Sequence, residues 1–548
     1  MHAVVAPSPP AGTHPATEPA VAPTAAGGRT FLGHPRGLFL LFLVEMWERF
    51  SYYGMRALLV LYLIHDATGA NPGRGWSKAE ASALYGWYTG LAYLLPLFGG
   101  VIADRLIGTH RSLIAGGVLM ALGHLTLAIS GSGGLAQSRA GMAIFVSGLT
   151  LIIVGTGHFK PTVSVMVGQL YAPTDTRRDG AFTIFYMGIN LGAFLCTFVC
   201  GTLGERVGWH WGFGAAAVGM AIGLTAYALG RAALIGPVGP PPRAGADLTP
   251  LLITLALIIA VGAGALYHVG AFTWLGAATG TLLSTGANAL LLSLLAILLI
   301  VAWTLWFLRR QEPADRGPTL CILVFIVFNA LFWIAFEQAG SSLNLFAAEK
   351  TERWIAVPGV GAWEVPATWF QSVNPLAIML CGPGFALLWS WLGRRRRDPG
   401  QPLKIAIALL LVGLGYVFMV IGSLRAQDGA KAGMIWLLLT YVLHTWGELC
   451  ISPTGLAFVT RAAPVRNAAF LMGIWFLSSV VANTLGGLLA AQVEAIEQGT
   501  VGLFWYGWFR LGGQADFFLL FVISSTAAGV LIALLAPWFK RLLGAERP

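Results

Sequence analysis

Glu45-Met46-Trp47-Glu48-Arg49-Phe50-Ser51-Tyr52-Tyr53-Gly54-Met55-Arg56 lies inside an apolar run from about Gly37 to Ile64, and its reading decides the fold. At about 100° per helical residue, Glu45, Glu48, Arg49, Tyr52, Tyr53 and Arg56 share one stripe, while Leu, Phe, Val and Met take the opposite face. A charge at bilayer depth costs about 2.5–3.5 kcal/mol on insertion scales, so a stripe carrying several persists only against partners or a water-filled cavity. The stripe predicts a polar path through a helical bundle.

Working outward, the rest of the chain puts that helix in a membrane. The 548 residues are only 10% charged, against about 25% in soluble domains, and the mean hydropathy is +0.74. A soluble globular protein is excluded. Apolar runs long enough for a hydrocarbon core of about 30 Å recur throughout. They predict fourteen spans, at 37–65, 81–103, 111–130, 141–161, 181–204, 211–230, 249–270, 286–308, 318–347, 367–392, 404–424, 434–459, 467–493 and 517–539.

An even count places both termini on one side. The loops on that side hold Arg105 and Arg111, Arg177 and Arg178, Arg231 and Arg243, Arg309 and Arg310, Arg394 to Arg397, and Arg461 and Arg466. By the positive-inside rule this side is cytoplasmic. The net charge of +10 therefore marks a membrane face and predicts no nucleic-acid partner. Residues 1–36 read as a disordered tail, rich in Ala, Pro, Gly and Thr, with neither signal-peptide nor transit-peptide character. The five cysteines, Cys196, Cys200, Cys321, Cys381 and Cys450, are odd in number and lack metal-ligand spacing, which predicts buried, reduced packing residues and no metal or cofactor.

The seventh and eighth spans are almost free of ionisable residues and follow the proline-rich stretch Gly236 to Pro242. Setting them aside leaves residues 37–230 as one six-helix bundle, 231–317 as a linker with two lipid-facing helices, and 318–548 as a second six-helix bundle with its tail. The halves correspond weakly. Each first helix carries acidic residues, Glu45 and Glu48 against Glu337. Each fourth helix is charged and expected to be broken at proline, Lys160-Pro161 against Glu448 with Ser452-Pro453. Matched helices of this kind point to a central site between repeats that rock against each other.

Between the second and third spans, Gly100-Val101-Ile102-Ala103-Asp104-Arg105-Leu106-Ile107-Gly108-Thr109-His110-Arg111 resembles the G-x-x-x-D-R-x-x-G-x-x-R loop of the major facilitator superfamily. There Asp104 is expected to cap or pair with basic residues as one half moves over the other. Glu45 to Gly54 reads E-x-x-E-R-F-x-Y-Y-G and is similar to the hallmark of the proton-dependent oligopeptide transporter family. Phe182 to Phe194, Gly155-Thr156-Gly157-His158-Phe159-Lys160-Pro161, Gly447-Glu448-Leu449-Cys450-Ile451-Ser452-Pro453, Phe336-Glu337-Gln338 and Gln371-Ser372-Val373-Asn374-Pro375 resemble further signatures of that family. The resemblance runs from about residue 37 to 490.

That resemblance implies an all-α major facilitator fold and a site for zwitterions of varied side chain. It places Arg49 and Lys160 at the substrate carboxylate, and Asn190, Asn374 and Glu448 at the substrate amine. The chemistry agrees, since guanidinium and ammonium favour a carboxylate while carboxylate and amide oxygens favour an ammonium. Tyr53, Tyr93, Trp333 and Trp475, with Ser452, are implied as pocket residues, although aromatics on such helices also serve as plain packing or interfacial residues. Glu45, Glu48, Arg49 and Glu337 are implied in proton coupling. Arg56 with Glu337 is implied as an outer latch, and Lys160 with Glu448 as an inner one. The second span lacks the histidine of animal members, which fits the bacterial pattern, and His158 and His444 read as packed or hydrogen-bonded. The implied protein is a monomeric proton-coupled importer of small peptides in a bacterial inner membrane, with both termini cytoplasmic. A carrier of another anion or zwitterion on the same frame stays open. An intramembrane enzyme or an ATP-driven pump finds no motif, because H-E-x-x-H, G-x-S-x-G and the phosphate-binding G-x-x-x-x-G-K-[ST] are all missing from the chain.

Overall fold

The computed structural model describes residues 30–172, 174–236, 238–240, 247–272, 286–359 and 361–543. Its long helices are α1 (Arg36–Ile64), α2 (Lys78–Ile102), α3 (Gly108–Ser130), α4 (Arg139–Gln169), α5 (Arg178–Cys196), α6 (Trp209–Leu234) and α7 (Thr249–His268). They continue with α8 (Gly286–Arg309), α9 (Pro313–Phe336), α10 (Val373–Arg394), α11 (Gln401–Arg425), α12 (Ile435–Ala462), α13 (Ala468–Ala490) and α14 (Gln514–Leu542). Helices prevail because lipid offers backbone groups no partner, so each segment must satisfy its own N–H and C=O groups. Among the described residues, 11 stretches are long and apolar enough to cross a membrane. One of them, Lys78–Ser130, contains both α2 and α3. The charged α1 stands outside that set although it is 29 residues long.

Helices α1 to α6 pack chiefly on one another, as do α9 to α14; between the two sets, α2 meets α13 and α5 meets α10. The α2–α13 contact is close because glycines face each other: a Cβ on Gly487 would lie 2.3 Å from the Gly86 Cα. Helix α7 packs on α4 and α3, whereas α8 packs on α9. The buried face of α7 is Ala256, Ala260 and Gly264, and a Cβ on Gly264 would meet the Ser147 Oγ at 2.2 Å. Small residues let backbones approach where lipid offers no hydrophobic drive to association. Its other faces expose Leu255, Ile258, Ile259 and Val261, as expected of a lipid-facing insert.

Several expectations need correction. Residues 30–35 of the presumed tail form a hairpin, Thr30–Phe31 paired with His34–Pro35, and α1 begins at Arg36. The hairpin is held from outside: the Arg177 guanidinium donates to the Gly33 carbonyl at 2.9 Å, and His34 Nδ1 lies 2.8 Å from the Tyr171 hydroxyl. Residues 1–29 lie outside the described residues, as do Pro237 and residues 241–246 of the proline-rich stretch. The fourth helices are not broken: α4 runs on through Pro161 and α12 through position 453. A break does occur inside the predicted 318–347 span, where α9 stops at Phe336, a 3₁₀ turn covers Glu337–Gly340, and Ser342–Glu349 resumes as helix. The signature loop is a π turn over Ala103–Ile107 ended by Gly108 at φ +79°, a left-handed value that favours glycine. Asp104 on that turn is exposed and forms no cap and no ion pair among the described residues. All five cysteines are free thiols, and Cys381 is half-buried where the other four are buried.

Candidate functional site

Between the two helix sets lies a chamber of about 140 Å³. Tyr53 and Arg56 of α1, Tyr93 of α2, and Tyr186 and Asn190 of α5 form one wall. Trp333 and Glu337 at the end of α9, Gln371 and Asn374 at the start of α10, and Tyr441, His444 and Glu448 of α12 form the other. Tyr441, His444 and Glu448 recur at helical spacing, so one face of α12 supplies all three. Small-molecule sites typically enclose about 300–1,000 Å³, so this chamber is contracted.

The charged stripe of α1 is buried along its whole length: Glu45, Glu48, Arg49 and Arg56 are each at most 6% exposed. Its two arginines are each paired with carboxylates. Arg49 Nε donates to Glu45 Oε1 at 2.9 Å across one helical turn and also pairs with Glu48. Arg56 crosses the chamber wall to pair with Glu337. It also donates through Nε to the Tyr85 hydroxyl at 2.6 Å and stands 5.6 Å from the centre of the Tyr53 ring. The break after Phe336 puts Glu337 in a turn aimed at α1, where a continued helix would carry it past.

Glu448 and Lys160 do not meet in this conformation. The Lys160 ammonium lies 3.7 Å from the centre of the Tyr93 ring and has no ion pair among the described residues. Glu448 Oε2 accepts from Asn374 Nδ2 at 2.8 Å, and Asn374 also donates to the Thr445 hydroxyl at 3.0 Å. Asn190 spends one N–H on the Tyr186 carbonyl at 2.9 Å, leaving its oxygen as an acceptor at the wall. Of the expected pocket residues, Tyr53, Tyr93, Trp333, Asn190, Asn374 and Glu448 line the chamber; Arg49 and Lys160 do not, and Lys160 stands against the far side of the lining through the Tyr93 ring. Trp475 and Ser452 do not line it. The Trp475 indole covers Gly455, where a Cβ would meet it at 2.5 Å, so it acts here as a packing residue between α12 and α13. His158 is tied to Ser112, 3.1 Å away; His444 packs against the Tyr416 ring but also stands at the chamber wall, a place its reading as a packed residue did not give it.

Sequence reasoning passed over three wall residues, Gln371, Tyr186 and Tyr441. Gln371 Nε2 is buried without a partner, a donor held ready at the wall. Its signal was its place one turn before Asn374. A set of cross-contacts at the end of the molecule remote from the start of α1 was also missed. There the Glu205 carboxylate accepts from Ala367 N at 2.8 Å, Thr368 N at 2.9 Å and Thr368 Oγ1 at 2.7 Å. Lys78 pairs with Glu349 at 2.7 Å, Arg206 with Glu364 at 3.5 Å, and Asn344 donates to the Ala57 carbonyl at 2.9 Å. Together with Arg56 and Glu337 these bonds close the distal end.

A membrane-embedded helical bundle in two sets, closed at one end over a chamber of opposed charges, is the architecture of a major facilitator transporter and not of an enzyme. The chain belongs to the POT family, whose pattern matches residues 110–506. It is 36% identical over 490 residues to a peptide transporter of Yersinia enterocolitica, covering 86% of this chain and 90% of that one. It is 32% identical over 527 residues to a di-/tripeptide transporter of Lactococcus lactis, covering 95% and 98%. Among solved structures, a peptide transporter POT in complex with sulfate superposes with a TM-score of 0.75 at 34% identity, over 94% of this chain and 97% of that one.

Proposed function

We propose that the protein is a proton-coupled symporter that imports di- and tripeptides by alternating access. The observation that carries this reading is the Arg56–Glu337 pair, which joins the two helix sets at the wall of a chamber holding a cation on one side and a carboxylate on the other. The names of the relatives support peptides as substrate. Arg49 and Lys160 take the peptide carboxylate, while Asn190, Asn374 and Glu448 take its amine, and the aromatic walls leave the middle of the peptide loosely specified. A proton on Glu337 removes the charge that holds Arg56 and so loosens the distal latch. Arg49 is held by Glu45 and Glu48 until a substrate carboxylate competes for it, which couples binding to protonation of that pair.

The cycle needs two end states, and the distal end is the one shut here, with Lys160 and Glu448 apart. Residues 37–230 and 318–548 move as the two bundles, with 231–317 as an inserted pair in a fourteen-span topology. The arginine-rich loops put both termini in the cytoplasm of a bacterial inner membrane. One chain supplies the whole chamber, which supports a monomer as the working unit.

Uptake of labelled dialanine into liposomes, with and without an imposed pH gradient, tests the proposal. Concentrative uptake that is competed by di- and tripeptides but not by tetrapeptides is the expected result. Uptake indifferent to the pH gradient removes coupling, and competition only by other anions removes the peptide assignment.

A further inference from the structure

A much larger groove lies away from the chamber, at the arginine-rich end of the molecule, between α8 and the ends of α12, α13 and α14. Its volume is about 1110 Å³. Arg310 at the end of α8, Arg461 at the end of α12, Arg466 in the turn before α13 and Arg541 near the end of α14 converge on it. None of the four forms an ion pair among the described residues; Arg310 rests on the Trp306 ring at 4.5 Å, and Arg461 Nε donates to the Ala457 carbonyl at 3.2 Å. Glu312 and Asp315 also line the groove and are likewise without an ion pair among the described residues, so the arginines outnumber the carboxylates.

Below this charged layer the groove turns aromatic. Trp303 and Phe307 stack at 5.3 Å, and Phe307 packs on Phe470 at 5.4 Å. Phe470 remains 50% exposed, and Leu299, one turn before Trp303 on the same face of α8, with Ile300 beside it, is exposed and carries the apolar wall toward the middle of the helix. The junction between the layers is built. Gln311, buried, donates through Nε2 to the Phe307 carbonyl at 3.1 Å and accepts from Asn467 Nδ2 at 2.6 Å, tying the end of α8 to the start of α13.

We propose that this groove binds an anionic glycerophospholipid, with its phosphate among the four arginines and its acyl chains along the aromatic wall and its aliphatic continuation. Guanidinium forks suit phosphate oxygens, and basic pockets between membrane helices at the cytoplasmic surface are fitted to anionic headgroups. A free phosphate needs only the arginines and has no use for an apolar wall continuing into the membrane. Glu312 and Asp315 accept from the hydroxyls of a glycerol headgroup, which makes phosphatidylglycerol the best match. The inserted helix α8 thereby becomes one side of a lipid seat, a role its sequence of Leu, Ala and Ile does not announce.

Native mass spectrometry on the detergent-purified full chain tests this with dioleoyl phosphatidylglycerol, dioleoyl phosphatidylcholine and inorganic phosphate. The expected result is binding of the glycerol lipid at least tenfold tighter than the choline lipid, undisturbed by tenfold excess phosphate. The triple variant Arg461→Gln/Arg466→Gln/Arg541→Gln, changed only at exposed positions, loses at least tenfold. A matched control, Arg394→Gln/Arg395→Gln/Arg396→Gln, removes equal charge outside the groove and stays within twofold. Equal binding of the two lipids, retention by the triple variant, an equal loss in the control, or displacement by phosphate each overturns the proposal. So does binding of the glycerol lipid that appears only after residues 544–548 are deleted, because the chain's own tail is then the occupant.

Discussion

Replacing Glu337 by Gln keeps the shape of the latch and removes its charge. Both side chains of the pair are nearly enclosed, Arg56 at 7% and Glu337 at 6% exposure. Removing one partner of a buried pair costs about 3–5 kcal/mol, because the other charge stays buried and uncompensated. The Gln carbonyl still accepts one hydrogen bond, and the Tyr85 hydroxyl and the Tyr53 ring remain beside Arg56. The loss therefore falls at the lower end, about 3 kcal/mol, which moves the balance between distally closed and distally open forms by roughly a hundredfold at 1.4 kcal/mol per tenfold. Two measurements read it. Spin-label distances across the distal end should broaden toward the open form, and the neutral double variant Arg56→Gln/Glu337→Gln should bring most of the closed population back, since no charge is then left unpaired. In liposomes, Glu337→Gln should lose proton-driven accumulation while retaining counterflow exchange of labelled dipeptide. A variant that still concentrates peptide against a gradient refutes the coupling role, and distances that do not change refute the latch.

Lys160→Ala should lower kcat/KM for dipeptides at least a hundredfold in liposome uptake, because the ammonium standing 3.7 Å from the Tyr93 ring is lost from the carboxylate end of the site; normal uptake takes Lys160 out of the substrate site. Glu448→Gln should raise the KM of a dipeptide at least tenfold in competition assays and leave its N-acetylated analogue unchanged, whereas equal effects on both would separate Glu448 from the amine. Gly487→Leu pushes a side chain against the Gly86 backbone, where even a Cβ has only 2.3 Å, and overpacking of this kind costs about 1–3 kcal/mol. Raised labelling of cysteines introduced at the distal end is the expected result, and unchanged labelling counts against closure through the α2–α13 contact. Glu205→Ala abandons three donors at the head of the 367–372 turn, a loss of about 1–3 kcal/mol from the same closed form. The labelling assay should show opening here too, and no change would reduce Glu205 to a local cap.

Much of this molecule is legible from one dimension. The run from Gly37 to Ile64 reads as a single helix and is one, Arg36–Ile64, because hydrophobic length and helical periodicity are local properties that a bilayer enforces. The stripe from Glu45 to Arg56 likewise demands buried partners before any coordinates are seen, and two of those partners, Glu45 and Glu48 for Arg49, lie within one turn of the same helix. The exposed apolar faces of α7 follow from its composition in the same way. Proline was a poorer guide: Pro161 sits in an unbroken helix, since neighbouring groups can satisfy the backbone a proline frees, whereas the break that counts falls at Glu337 with no proline near it.

Tertiary structure decides whether distant charges meet. The family resemblance names Arg56 and Glu337 as partners, but they are 281 positions apart, and their contact depends on how α1 lies against the interrupted end of α9. Packing also sent Trp475 to Gly455 instead of the chamber, left Lys160 and Glu448 apart, set Glu205 over the start of the 367–372 turn and gathered four arginines from separate segments around one groove. Periodicity gives the face of a helix on which a side chain stands, but the partner of that face comes from the arrangement of the other helices, and for buried charge the partner is what determines the energy.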